Sequence, residues 1–160
     1  MKCTFKKNRS FENATMFHVS ETAIVHAPSD TVRRYVVDVR NLPHWDASVR
    51  RVVLVRPSEY DIDIDFSPFT GCCFCLSFNT PTRLRYKVMQ HNGATVMTGA
   101  GQGVRTHETY TFRGVGPRTT EVTYSVRVHL SGWRAAFSEL IESRTRDLAR
   151  AAMTRLSRTW

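Results

Sequence analysis

Arg144 is a residue equipped for chemistry in a place where the pattern calls for none. It stands three residues after Ile141 and four before Leu148, on what reads as the apolar stripe of a helix. An unpaired guanidinium buried there would cost far more than its stem recovers by packing. Three arrangements avoid that cost. The side chain runs out along the helix to water, it pairs with an inward carboxylate, or it faces a hydrated pocket and holds a ligand carbonyl or carboxylate with its fork of donors. Glu108 is the carboxylate of choice. It follows His107, and adjacent strand residues face opposite sides, so only one of the two can look inward. Glu108 shares its face with Tyr110 and Phe112; its other reading is an edge carboxylate paired with a surface arginine. Tyr35, Trp45, Tyr86, Tyr110, Phe112, Tyr124, Phe137 and Leu148 also fall on faces read as inward. Most of them must be core. A subset around a cavity would give the apolar wall with a few convergent polar groups of a ligand site, and buried tyrosine hydroxyls there need partners.

Other chemistries lack their parts. Cys72-Cys73-Phe74-Cys75 holds one C-x-x-C but no second pair and no histidines at zinc spacing, so no metal is expected and the thiols read as small hydrophobes. There is no nucleophile elbow and no phosphate loop. Gly99-Ala100-Gly101-Gln102-Gly103 has the wrong spacing for a dinucleotide fingerprint, and no cofactor is expected.

The elements that position these residues follow from periodicity. A strand is expected over 17–26, then a short helix opened by Pro28 with Ser29 or Asp30 as cap. A second helical turn opens at Asn41-Leu42-Pro43 and carries His44, Trp45 and Asp46. From 49 the period is two: strands over 49–56 and 60–66, a turn at 67–71, then strands marked by Phe74, Leu76 and Phe78, by Leu84, Tyr86 and Val88, over 95–100, by Tyr110 and Phe112, and over 122–130. His91-Asn92-Gly93 signals a hairpin. Gly99, Gly101 and Gly103 suggest a bulge or bend. From Trp133 to Leu156 apolar residues recur at three- and four-residue steps, predicting a single amphipathic helix that lays its stripe on the sheet.

At 160 residues the chain is one domain with material for a core. Residues 1–16 are expected to be a flexible segment and 17–160 the domain. No apolar run long enough to span a membrane occurs, and the basic N-terminus has no apolar region after it, so a cytoplasmic protein is expected. The formal charge of +9 favours an anionic partner, such as an acidic carrier protein, or simply solubility. Nucleic acid is not expected, since no recognition signature accompanies the charge. The sequence sets no oligomeric state.

The order of strand, two short helices, six or seven antiparallel strands and a long helix resembles the START-like SRPBCC superfamily, the α+β helix-grip fold. The resemblance is nearest to its bacterial polyketide cyclase/dehydrase-type members. It is carried by Ala27-Pro28 with Val32 and Asp38, by Asn41-Leu42-Pro43-His44-Trp45-Asp46-Ala47-Ser48-Val49, by Tyr86-Lys87-Val88, by Glu108-Thr109-Tyr110-Thr111-Phe112, and by Thr119-Thr120-Glu121-Val122-Thr123-Tyr124 leading into the last helix. The turn before the last strand, usually Gly-rich in that superfamily, is Gly116-Pro117-Arg118 here. The resemblance implies a cavity between a curved sheet and the long helix. Superfamily members hold apolar or polycyclic ligands there, and some close polyketide rings without a cofactor. Two functions are then expected. One is a cyclase/aromatase-like enzyme with Arg144, Tyr124 and Glu108 as its reacting groups; the other is a non-catalytic carrier of a lipid, quinone or other hydrophobic ligand. A fold alone does not choose between them. Polar groups converging deep in the cavity would mark the enzyme, and a dry interior the carrier.

Overall fold

The computed structural model describes residues 14–65 and 82–160. In chain order they form β1 (Thr15–Val25), α1 (Ser29–Val37), a 3-10 turn (Val39–Asn41), α2 (Leu42–Trp45), β2 (Val49–Arg56) and β3 (Glu59–Ile64). Then come β4 (Thr82–His91), β5 (Ala94–Gly101), β6 (Val104–Gly116), β7 (Thr119–Leu130), a 3-10 segment (Gly132–Phe137) and α3 (Ser138–Ser157). The strands make one seven-stranded antiparallel sheet in the order β1-β7-β6-β5-β4-β3-β2. The first and last strands pair along their whole length, Thr15 against Leu130 through Val25 against Thr120.

Alternation builds most of this sheet, because a period of two sends successive side chains to opposite faces; the edge strand β2 is exposed along most of its length instead. Thr106, Glu108 and Tyr110 of β6 are buried while Arg105, His107 and Thr111 are exposed. The hairpin at Asn92-Gly93 has φ of 49° and 78°, the paired left-handed geometry of a tight two-residue turn. On β3 and β4 the polar face is an ion-pair ladder in register, Asp61 with Arg85 and Asp63 with Arg83. α3 lies over one side of the sheet and packs chiefly against β1, with further contacts to β7 and α2. No helix among the described residues is long and apolar enough to cross a membrane.

Several expectations need correction. The first strand begins at Thr15, so two residues assigned to the flexible segment are in the sheet; residues 1–13 of that segment lie outside the described residues, as do the turn at 67–71, the strand marked by Phe74, Leu76 and Phe78, and the cysteine cluster. Gly99 and Gly101 form no bulge: β5 keeps unbroken register with β4 and β6, and the shifts fall instead in the β2–β3 pair and at Gly114/Gly116. The final helix starts five residues late. Gly132 takes φ 65° and a 3-10 segment follows, which turns Trp133 and Phe137 outward at 51% and 40% exposure, and Leu140 in the first turn of α3 is 38% exposed. A 3-10 segment has three residues per turn, so it cannot carry forward the facing of an α-helical stripe.

The short helices fix one corner of the core. Trp45, at the end of α2, is 2% exposed and meets the Tyr110 ring edge-on with centroids 6.1 Å apart. Trp45→Ala is expected to cost about 3 kcal/mol, the scale of an aromatic truncation in a packed interior. Urea unfolding of the variant measures it, and an unshifted midpoint would contradict the packing described.

Candidate functional site

The polar residues of the interior are gathered by register. Tyr86 on β4 sits across from Gly99 on β5, and Gly99 sits across from Thr106 on β6. Having no side chain, Gly99 lets the Tyr86 ring lie over β5. A Cβ there would stand 2.7 Å from Tyr86 Cζ and 2.6 Å from Thr106 Oγ1. The ring thereby reaches β6. The Tyr86 hydroxyl donates to Glu108 Oε1 at 2.6 Å and accepts from Thr106 Oγ1 at 3.2 Å. From β7 the Tyr124 hydroxyl donates to Glu108 Oε2 at 3.1 Å. Tyr110 stacks on Tyr124 with centroids 4.9 Å apart. The result is a carboxyl, 8% exposed, held by two phenols in an otherwise apolar wall.

A second carboxyl comes from the end of α2. Asp46 Oδ1 accepts from the Ser48 backbone N–H at 2.9 Å and from the Ser48 hydroxyl at 2.6 Å. This is the two-residue aspartate turn that ends a helix without glycine. The same corner holds an unmet donor: Trp45 Nε1 is buried and has no hydrogen-bond partner among the described residues.

Asp46 and Glu108 line one pocket with Trp45, Tyr86, Tyr110 and Tyr124. Apolar residues of the sheet close it on one side, and Thr145, Leu148, Ala149, Ala152 and Met153 of α3 close it on the other. Its volume is about 50 Å³, room for a few water molecules. Burial raises the Glu108 carboxyl above the ordinary carboxylate range, against the donors of Tyr86 and Tyr124, which favour the ionised form. Burial likewise raises Asp46, against the two donors of Ser48. Burial, then the neighbouring Glu108 charge, lifts Tyr86, Tyr110 and Tyr124 well above an ordinary phenol. The phenols therefore stay neutral donors, and the two carboxyls, whose burial favours the protonated form, are the groups of the pocket suited to acid–base exchange.

The structure brings together six of the residues singled out in the sequence, Glu108, Tyr124, Trp45, Tyr86, Tyr110 and Leu148. It leaves four apart. Phe137 is exposed on the 3-10 segment. Tyr35 is only partly covered and packs edge-on against Trp160 at 5.0 Å. Phe112 lies beyond the pocket, under the Arg33 guanidinium at 5.8 Å. Arg144 is not in the pocket wall, and its Nε is buried with no partner among the described residues. Glu108 takes tyrosines as its partners, so of the three arrangements weighed for Arg144 the pair with Glu108 does not form. The inward place on α3 belongs to Thr145, whose hydroxyl is returned to the Ile141 carbonyl at 2.7 Å. Asp46, Thr106 and Thr145 were not among the candidates. Only the aspartate left a signal, an Asp-x-Ser string at the end of a helical turn. Among the described residues no cluster is suited to a metal ion.

Comparison with known proteins agrees with this architecture. A family model described as polyketide cyclase / dehydrase and lipid transport matches residues 16–159. A START superfamily protein from Mycobacterium smegmatis superposes with a TM-score of 0.67 at 15% identity, covering 89% of this chain and 99% of that one. The Zhui aromatase/cyclase from a Streptomyces species gives 0.64 at 12% identity, covering 90% and 95%. BexL, a di-domain ARO/CYC, gives 0.61 at 15% identity, covering 88% of this chain and 46% of that one. At these identities the likeness is one of fold. No curated protein matches the chain in sequence.

Two outcomes follow from the polar cluster. Gly99→Ala is expected to destabilise the fold by about 1–3 kcal/mol through overpacking, and to shift the ultraviolet absorbance of the displaced Tyr86; a variant equal to wild type in both would mean that the ring does not need the gap. The second concerns pH. An acid whose folded value is raised keeps its proton in the folded state while the unfolded chain releases it, so it lowers stability as pH climbs from the unfolded value near 4.5 through the folded one. Wild type is therefore expected to lose stability relative to Glu108→Gln across that interval. Unfolding free energies measured pH by pH check this, and a difference that stays flat would mean that Glu108 titrates as an ordinary carboxylate.

Proposed function

The chain belongs to the polyketide cyclase / dehydrase and lipid transport family, and on that premise we propose that it is a cofactor-independent, cyclase/aromatase-like enzyme acting on a polyketide or similar polycyclic carbonyl compound held between the sheet and α3. The observation that carries this reading is the pair of carboxyls, buried Glu108 and part-buried Asp46, facing one pocket among neutral hydroxyls. A carrier of lipid or quinone is served by a dry interior, since buried carboxyls cost stability and add nothing to apolar binding.

In an aldol closure a base removes a proton from the carbon beside a carbonyl, the resulting enolate carbon attacks a second carbonyl, and the new alkoxide takes up a proton. Dehydration then expels that oxygen as water. Whichever of Glu108 and Asp46 is ionised accepts the first proton, and the protonated partner returns one to the departing hydroxyl. Burial raises both carboxyls above the ordinary carboxylate range, which favours retention of a proton by one of them while the other acts as base. The unmet Trp45 N–H, with Tyr86 and Tyr124 hydroxyls that can redirect from Glu108, supplies donors for the enolate oxygen. Arg144 has no part, because it lies outside the wall.

A pocket of about 50 Å³ is well short of the roughly 300–1,000 Å³ of small-molecule sites. Uptake therefore opens the wall. Its composition supports this: Met97 and Met153 are unbranched and readily repack, and Leu148 is only partly covered.

Native mass spectrometry of the purified protein, followed by turnover assays on poly-β-ketone mimics, tests the reading. Glu108→Gln is expected to keep ligand uptake while losing at least about a hundredfold in turnover, the scale of one acid–base group. Wild-type turnover in Glu108→Gln would remove the acid–base role. A ligand bound and released unchanged by wild type would make the protein a carrier.

A further inference from the structure

The outward face of the sheet carries a second feature, unrelated to the pocket. Cross-strand register aligns His18 of β1, Arg127 of β7, His107 of β6, Thr98 of β5 and Lys87 of β4 in one row. The adjacent row, on the same face, runs Met16, His129, Arg105, Ala100 and Arg85. All four basic side chains and all three imidazoles of these rows are exposed. Arg85 is paired with Asp61. Arg105, Arg127 and Lys87 make no ion pair among the described residues. Neither row holds an acid until β3 is reached, at Glu59 and Asp61.

This uneven distribution is the point. Eight ion pairs form among the described residues, several by acids set directly across from arginines; one of them, Arg85–Asp61, touches these rows and another, Arg113–Glu121, lies farther along the β6–β7 pair, while Arg105 and Arg127 have no acid beside them. At strand spacings of about 4.8 Å the five strands span roughly 19 Å, the width of a small docking patch. The flanking row is Ser20, Ser125 and Thr109, short side chains that leave the rows unobstructed; the Ser125 hydroxyl holds His18 Nε2 at 2.7 Å and the Ser20 hydroxyl donates to the Tyr124 carbonyl.

We propose that this basic face docks an acidic protein surface. Arg105 and Arg127 are the anchoring residues, because a guanidinium takes a carboxylate through two parallel hydrogen bonds. The same face lacks what other anionic partners use. No aromatic ring other than imidazole points outward in these rows, so bases have nothing to stack on. Within the two rows Met16 is the one large apolar side chain, and Val96 with Met89 in the flanking row and Ile24 near the end of β1 stand apart from it, so no continuous apolar stripe enters a bilayer. A patch of this size gives a transient, salt-sensitive contact. It is independent of what the pocket does, and it stands even if no turnover is found.

The test uses labelled poly-L-glutamate as probe, with fluorescence anisotropy at low ionic strength. Wild type is expected to bind, Arg105→Glu/Arg127→Glu to lose about tenfold or more, and Arg105→Gln/Arg127→Gln to lose less. The equal-charge control Arg118→Glu/Arg158→Glu, away from the patch, is expected to stay within about threefold of wild type. Far-ultraviolet circular dichroism verifies that each variant is folded. Equal losses in the two charge-reversed variants would reduce the effect to net charge and overturn the assignment. Tighter binding to duplex DNA, or to vesicles containing phosphatidylglycerol, at the same ionic strength would overturn the choice of a protein partner.

Discussion

A carboxyl group in an apolar interior has to be satisfied, and the rest of this molecule is arranged around that necessity. Glu108 is withdrawn from bulk water, and its two oxygens are met by hydroxyls from β4 and β7, strands on either side of its own neighbourhood. That requirement fixes the register of three strands at once, since a slip of one residue would send Tyr86, Glu108 or Tyr124 to the outer face. It also dictates the empty position at Gly99, without which the Tyr86 ring has no path across β5. A polar network of this kind is stable only when complete, because each missing partner leaves a buried group exposed to the full cost of desolvation.

Much of the fold was legible because its determinants are local. Alternation marked the described strands, and Asn92-Gly93 marked a hairpin that needs left-handed backbone at both positions. What escaped was phase. Trp133 and Phe137 keep helical spacing with Ile141, yet the backbone between them is 3-10, and spacing cannot reveal a change of helix type. Arg144 was one residue away from the inward position taken by Thr145, and one residue on an α-helix is a rotation of about 100°. The candidate site was half legible for the same reason. Alternation turned Glu108, Tyr110, Tyr86 and Tyr124 inward correctly. Asp46 joined them only through the three-dimensional position of α2, which no period encodes. Tyr35 and Phe112 have inward parity but lie where the short helices cover the sheet away from the pocket.

Each central strand performs two separate tasks on its two faces. On β6 the inward residues Thr106, Glu108 and Tyr110 build the polar core, and the outward residues Arg105 and His107 build the basic surface. The sheet between them is one backbone layer thick. Changes on one face leave the other's side chains in place so long as register holds, which keeps the chemistry of the interior separate from the charge outside.

The full-length pairing of β1 with β7 has a consequence for how the chain is made. Thr15 and Leu130 are ladder partners, yet more than a hundred residues of synthesis separate them. Until β7 emerges, β1 has no neighbour in the sheet, and the apolar face of Phe17, Val19 and Val25 has nothing to rest on. Closing so long a loop is entropically costly, and topologies dominated by distant contacts fold slowly. The strands β2 to β6 can assemble as successive hairpins while the ribosome is still at work. The first strand must wait for the last, so the N-terminal edge is the place where a nascent chain of this protein is exposed to unwanted pairing and to chaperones.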